Sequence, residues 1–147
     1  MKYLKVFYLL SILGIVSCRQ SNQDQSYEPF FKSFFSKYEK EGVKESLNYV
    51  YSTNKWILSE HATETKDIIS KLEDFTRNLG KYSGNKLLKE KVVNSHCVAR
   101  SYMMLYERQP IRFTFVLYRT VETWQLQSFQ YDVGISDEVI NSINLSW

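Results

Sequence analysis

The sequence predicts an α+β domain of three N-terminal helices packed on a four-stranded antiparallel meander, and three observations predict it. Apolar residues recur at helical spacing from Phe30 to Leu79, the apolar period changes to two after Lys81, and from there to Val133 the alternation is interrupted only by short polar turns. A chain of 147 residues, 44% hydrophobic and 24% charged, is long enough for one well-buried core and too short for two ordinary domains.

Phe30, Phe31, Phe34, Phe35 and Tyr38 form one aromatic stripe, with Lys32, Lys37, Glu39, Lys40 and Glu41 on the opposite side. This is an amphipathic helix, with Pro29 in its first turn and Gly42 placed to end it. A second helix carries Val43, Leu47, Val50 and Tyr51 on one face and stops at Ser52, Thr53 and Asn54. Trp56, Ile57 and Leu58 read as an irregular link. A third helix follows with Ile68, Ile69, Leu72, Phe75 and Leu79, ended by Gly80.

The first strand is expected at Leu87 to Val93, where Lys89, Glu90 and Lys91 mark a solvated edge. A turn at Asn94 and Ser95 leads to a second strand from Cys97 to Tyr106. A two-residue loop at Arg108 and Gln109 would pair Tyr106 with Ile111, Met104 with Phe113 and Tyr102 with Phe115. The third strand places Ile111, Phe113, Phe115 and Leu117 on one face and Arg112, Thr114, Val116 and Tyr118 on the other. A turn at Val121 and Glu122 would set Leu117 against Leu126 and Arg119 against Trp124. On the returning strand the apolar phase starts on Trp124 and Leu126 and moves to Phe129 and Tyr131. A bulge near Gln127 and Ser128 turns both rings inward; an unbroken phase turns them out beside Thr114. The residues leave both arrangements open. Ser136 to Ile143 reads as a last short helix capped by Ser136.

Residues 1–17 hold Lys2, Lys5, an apolar run from Val6 to Val16 and a small residue before Cys18, the pattern of a secretory signal peptide. Ile15, Val16, Ser17 and Cys18 resemble the lipobox of bacterial lipoproteins. The resemblance implies lipidation of Cys18, a polar tether over 18–26, a single domain over 27–147 and attachment to a membrane of the cell envelope. Arg19, which is not aspartate, resembles the outer-membrane sorting choice of Gram-negative lipoproteins; the side the domain faces is not encoded. With Cys18 lipidated, Cys97 stands alone, so no intramolecular disulfide is expected. The formal charge of +3 includes Lys2 and Lys5. Their removal leaves 17 basic against 16 acidic side chains, which gives no electrostatic case for nucleic acid.

Asn54, Lys55, Trp56 and Ile57 after the second helix, and Pro110, Ile111, Arg112 and Phe113 leading to Tyr118 and Trp124, resemble small secreted members of the nuclear transport factor 2-like (cystatin-like) superfamily. The order of elements from Tyr27 to Val133 carries most of that resemblance. It implies a curved, cone-like sheet wrapped on the long helix, a pocket between them, and dimerisation through the outer sheet face. Ketosteroid isomerase and scytalone dehydratase resemble this architecture, and fold analogy transfers no catalytic role from them.

Chemistry is sparse in the sequence. His61 and His96 lack metal-ligand spacing, and no CxxC, HExxH, phosphate loop or GxSxG occurs. No catalytic residue, metal or cofactor is assigned. His96 cannot easily activate Cys97, because adjacent strand residues point to opposite faces. Trp56, Tyr102, Met104, Tyr106, Phe113 and Phe115, with Asp132, are candidates to line a pocket for an apolar small molecule. Thr114, Val116, Tyr118, Phe129 and Tyr131 are the candidate interface for an envelope protein or a second copy of the chain. The function expected is a noncatalytic ligand-binding or protein-interaction module. The alternatives are a small isomerase or dehydratase and a structural component of an envelope complex.

Overall fold

The computed structural model describes residues 26–121 and 123–144, so the expected signal peptide, Cys18 and the expected tether up to residue 25 lie outside the described residues. The chain is α+β, with helices α1 (Glu28–Glu41), α2 (Val43–Ser52), α3 (Lys55–Glu60) and α4 (Ala62–Arg77), then strands β1 (Tyr82–Asn94), β2 (Cys97–Tyr106), β3 (Ile111–Arg119) and β4 (Trp124–Asp132), then α5 (Ile135–Asn144). The sheet is an antiparallel meander in the order β1-β2-β3-β4.

Helix α1 forms as its stripe predicts: Phe30, Phe31, Phe34 and Tyr38 are buried, Pro29 stands in the first turn, and Gly42 ends it at φ 89° with its N–H bonded to the Lys37 carbonyl. The link at Trp56 to Leu58 is helical, a correction to the irregular reading. Asn54, taken as a stop, is a cap: its side-chain oxygen accepts from the N–H groups of Trp56 and Ile57 and so starts α3. The last helix starts at Ile135, so Ser136 lies inside it.

The aromatic stripe of α1 meets the inner sheet face ring on ring. Phe34 lies 4.9 Å from Phe115, Phe31 5.7 Å from Phe115 and Tyr38 5.8 Å from Phe113, all edge to face. Met104, Ile111, Phe113, Phe115, Leu117 and Leu126 are fully buried beneath α1 and α2. The core therefore fills the space between helices and sheet.

Strand β4 follows the bulged arrangement. Val116 faces Ser128 and Leu117 faces Leu126, so Gln127 is the extra residue. Phe129 consequently turns inward, 5.1 Å from Phe115 and 5.2 Å from Phe113. The β2–β3 register differs from the expected one by two residues. Met104 faces Ile111, Tyr102 faces Phe113 and Arg100 faces Phe115. A shift of two keeps every side chain on its face, so hydrophobic pattern alone cannot set it. Here Pro110 has no N–H for the ladder, and Glu107 and Arg108 instead donate to the Lys81 and Leu79 carbonyls, which lengthens the connection.

Strand β1 is longer than predicted. It carries three bulges, with Ser83, Leu88 and Val93 as the extra residues, and its turn falls at Ser95–His96. Bulges of this kind bend a strand and raise its twist. Strand β4, the other sheet edge, is covered at Leu126. The Leu126 N–H donates to Thr53 Oγ1 at 3.0 Å, and Asn54 Nδ2 donates to the Leu126 carbonyl at 2.7 Å.

Candidate functional site

Helix α1 covers β2, β3 and β4 but leaves the inner side of β1 partly open, and the least expected side chain of the fold sits at that boundary. Arg100 is buried at 8% exposure on the inner face of β2. Its guanidinium donates to Glu28 of α1 and Glu90 of β1, and its Nη1 donates to the Tyr102 hydroxyl at 3.2 Å. The rings of Tyr27 and Phe31 lie 4.7 and 4.8 Å from the guanidinium carbon. Burial works against the Arg100 charge, and the hydrogen bonds with Glu28, Glu90 and Tyr102 outweigh it, so its pKa lies above the ordinary arginine value. Burial also raises the Tyr102 hydroxyl, while the bond from Arg100 pulls it the other way. The network fastens the start of α1 to the open side of the sheet.

Beside it lies a groove of about 720 Å³ between α1 and β1, lined by Ser26, Glu28, Pro29, Phe31, Lys32, Phe35, Asn85 and Tyr102. Its floor is aromatic and its rim polar, the usual composition of a binding cleft. Among the described residues no strand pairs with the outer edge of β1, which borders it. Leu87 faces Tyr102 across the ladder and is 50% exposed; Leu88, Val92 and Val93 are also exposed on the same strand. Four exposed aliphatic residues on one unpaired edge are more than a solvated strand needs.

Of the residues expected to line a pocket, only Tyr102 reaches this groove. Met104, Phe113 and Phe115 have no exposure, because the rings of α1 fill the space above them. Trp56 is 61% exposed on α3, a helix that packs on α2 and α4. Tyr106 is hydrogen-bonded to Tyr38 between α1 and β2, and burial, then the neighbouring Tyr106, raises the Tyr38 hydroxyl far above the ordinary tyrosine value. Asp132 lies at the surface, held by Arg112 at 2.9 Å through both carboxylate oxygens and by the Gly134 N–H. The Arg112 bonds, aided by that N–H, hold its carboxyl below the usual carboxylate value.

The expected interface divides in the same way. Phe129 belongs to the core and Tyr131 stacks beside it at 6.4 Å, because the bulge at Gln127 turned both rings in. On the outer face, Thr114 bonds to Ser101 at 2.7 Å, Val116 is half-buried and Tyr118 is exposed. Sequence reasoning missed Arg100, Glu28, Glu90 and the groove. One signal pointed there: Arg100 shares the even phase of β2 with Val98, Tyr102 and Met104, an inward position.

Among the described residues no cluster of His, Cys, Asp and Glu is arranged to hold a metal ion, and no helix is long and apolar enough to cross a membrane. Comparison with protein-family models, with curated proteins and with solved structures finds no match for this chain.

Proposed function

We propose that the chain is a cell-envelope lipoprotein, anchored through Cys18, whose domain is a noncatalytic protein-interaction module that receives its partner on the β1 side. The observation that carries this reading is the open groove continuous with an unpaired, aliphatic strand edge. An extended partner segment can hydrogen-bond to such an edge and place alternate side chains into the groove. The order of helices before a meander supports a nuclear transport factor 2-like domain, and the lipobox at Ile15 to Cys18 supports the anchor. A second reading, an apolar small molecule in the groove, is favoured by the floor of Phe31, Phe35 and Tyr102.

The test places a photo-crosslinking phenylalanine analogue at Leu87, beside the groove, and separately at Leu58 on α3, in intact cells. A discrete protein adduct from position 87 and none from position 58 is expected. No adduct at 87, together with a small apolar molecule retained by the purified chain in native mass spectrometry, would move the conclusion to the second reading. Equal capture at both positions would reject both. The anchor is tested apart from this: Cys18→Ala should shift the protein out of the detergent phase on phase separation.

A further inference from the structure

Two tight turns meet at one end of the sheet. The Arg119 N–H donates to the His96 carbonyl at 2.7 Å, and His96 Nδ1 lies 3.3 Å from the Arg119 carbonyl, which ties the β1–β2 turn to the start of the β3–β4 turn. Around this end aliphatic side chains face water. Val92 is 54% exposed, Val93 59% and Val121 fully, and Tyr118 beside them is 46% exposed. Val93 is the extra residue of a bulge and Val121 follows the end of β3, so neither has a place in the core.

Just behind, Lys89 and Lys91 are exposed on the outer face, opposite Ser101 and Ala99. Of the acidic residues near them, Glu90 is held on the inner face by Arg100, and Glu122 follows Val121 in the sequence. Helix α1 also begins at this end: Tyr27 packs 5.3 Å from Trp124, the residue paired with Arg119. Residues 19–26 can span at most about 28 Å. A lipid on Cys18 would therefore keep this end of the domain within about 28 Å of the bilayer surface.

We infer that the turn end of the sheet is a docking surface for an anionic bilayer, with Val93 and Val121 entering the headgroup region and Lys89 and Lys91 meeting the negative headgroups. Aliphatic tips, a neighbouring tyrosine and flanking lysines are the chemistry that an anionic membrane interface favours. The orientation of the docked domain rests on the Cys18 anchor proposed above; the contacts themselves do not.

The test uses the lipidated full chain with Cys97→Ser, reconstituted into vesicles of phosphatidylcholine alone or with about a third phosphatidylglycerol. An environment-sensitive fluorophore is attached to a cysteine placed at Val93, at Val121 or, as control, at Ser70 on α4. Labels at 93 and 121 should shift to the blue and be quenched by lipid-borne quencher in the anionic vesicles, with the label at 70 unchanged. Labels at 93 and 121 that stay in water on the anionic vesicles would overturn the inference. A chain beginning at residue 19 keeps every core residue, all of which lie between Phe30 and Phe129. On anionic vesicles, Lys89→Ala with Lys91→Ala should weaken binding of that shorter chain about 30-fold; unchanged binding would count against the lysines and so against the surface. If Cys18→Ala leaves detergent partition unaltered, the anchor reading falls, and the shorter chain alone decides the docking.

Discussion

Asn54 is asked to hold two structures at once, and its replacement separates them. Its carbonyl oxygen caps α3, its amide donates to the Leu126 carbonyl at 2.7 Å, and it is 4% exposed. Asn54→Ala loses the cap, about 1 kcal/mol. It also leaves the Leu126 carbonyl without that partner, about 1–3 kcal/mol more. The sum is about 2–4 kcal/mol, which at a urea slope of about 1.5 kcal/mol/M is a midpoint shift of about 1.3–2.7 M. Asn54→Asp keeps an acceptor for the cap but turns a carboxylate toward the carbonyl. It should therefore be at least as unstable as the alanine variant at pH 7, and should recover part of the loss below about pH 4, where the acid can donate. Urea melts followed by circular dichroism at both pH values measure all three proteins. An aspartate variant within about 0.5 kcal/mol of the parent at pH 7 would refute the assignment of the Asn54 amide to β4.

Phe113→Ala empties a fully buried ring site and should cost about 3–5 kcal/mol, while Trp124→Ala, at a half-buried site, should cost about half as much; equal losses in urea melts would show that the core is not centred on β3. Gly80 has φ 80°, and a Cβ there would run into the Glu107 carboxylate that accepts from the Lys81 N–H. Gly80→Ala should cost about 2 kcal/mol, and adding Glu107→Ala should relieve the clash but not the backbone strain; no change between single and double variants would show that the clash is absent. The Asp132 carboxyl is held below its ordinary value chiefly by Arg112, so its contribution to stability is present above the unfolded value near pH 3.9 and is lost as pH falls through the lower folded value. Asp132→Asn should then be less stable than the parent at pH 7, and the two should converge toward pH 2; a constant gap in urea midpoint from pH 2 to 7 would remove the ion pair from the account.

The elements were legible where one period ran long enough. The Phe30 to Tyr38 stripe and the Ile111 to Leu117 alternation each define a face without outside information. The β3–β4 pairing was also legible, because a short turn leaves few registers and only one set Leu117 against Leu126. The β2–β3 register was not, since sliding by two residues changes no side chain's face. Helix α3 was hidden because asparagine is both a stop and a cap. The groove was hidden for a different reason: it exists where α1 fails to cover β1, and lateral placement of a helix on a sheet has no local signature. Arg100 shows the same limit, since Glu28 lies 72 positions away in sequence.

The clip of Thr53 and Asn54 on β4 has a consequence for assembly. One side of the meander is closed at Leu126 by side chains of the α2–α3 corner, while among the described residues the β1 side stays open. A sheet with two free edges can add strands at both and grow without end, as fibrils do. A sheet with one, once it meets the same edge of a second copy, has no edge left to offer. Edge-to-edge association of this fold therefore stops at a pair, and losing the clip at Leu126 would open a second edge as well as lowering stability.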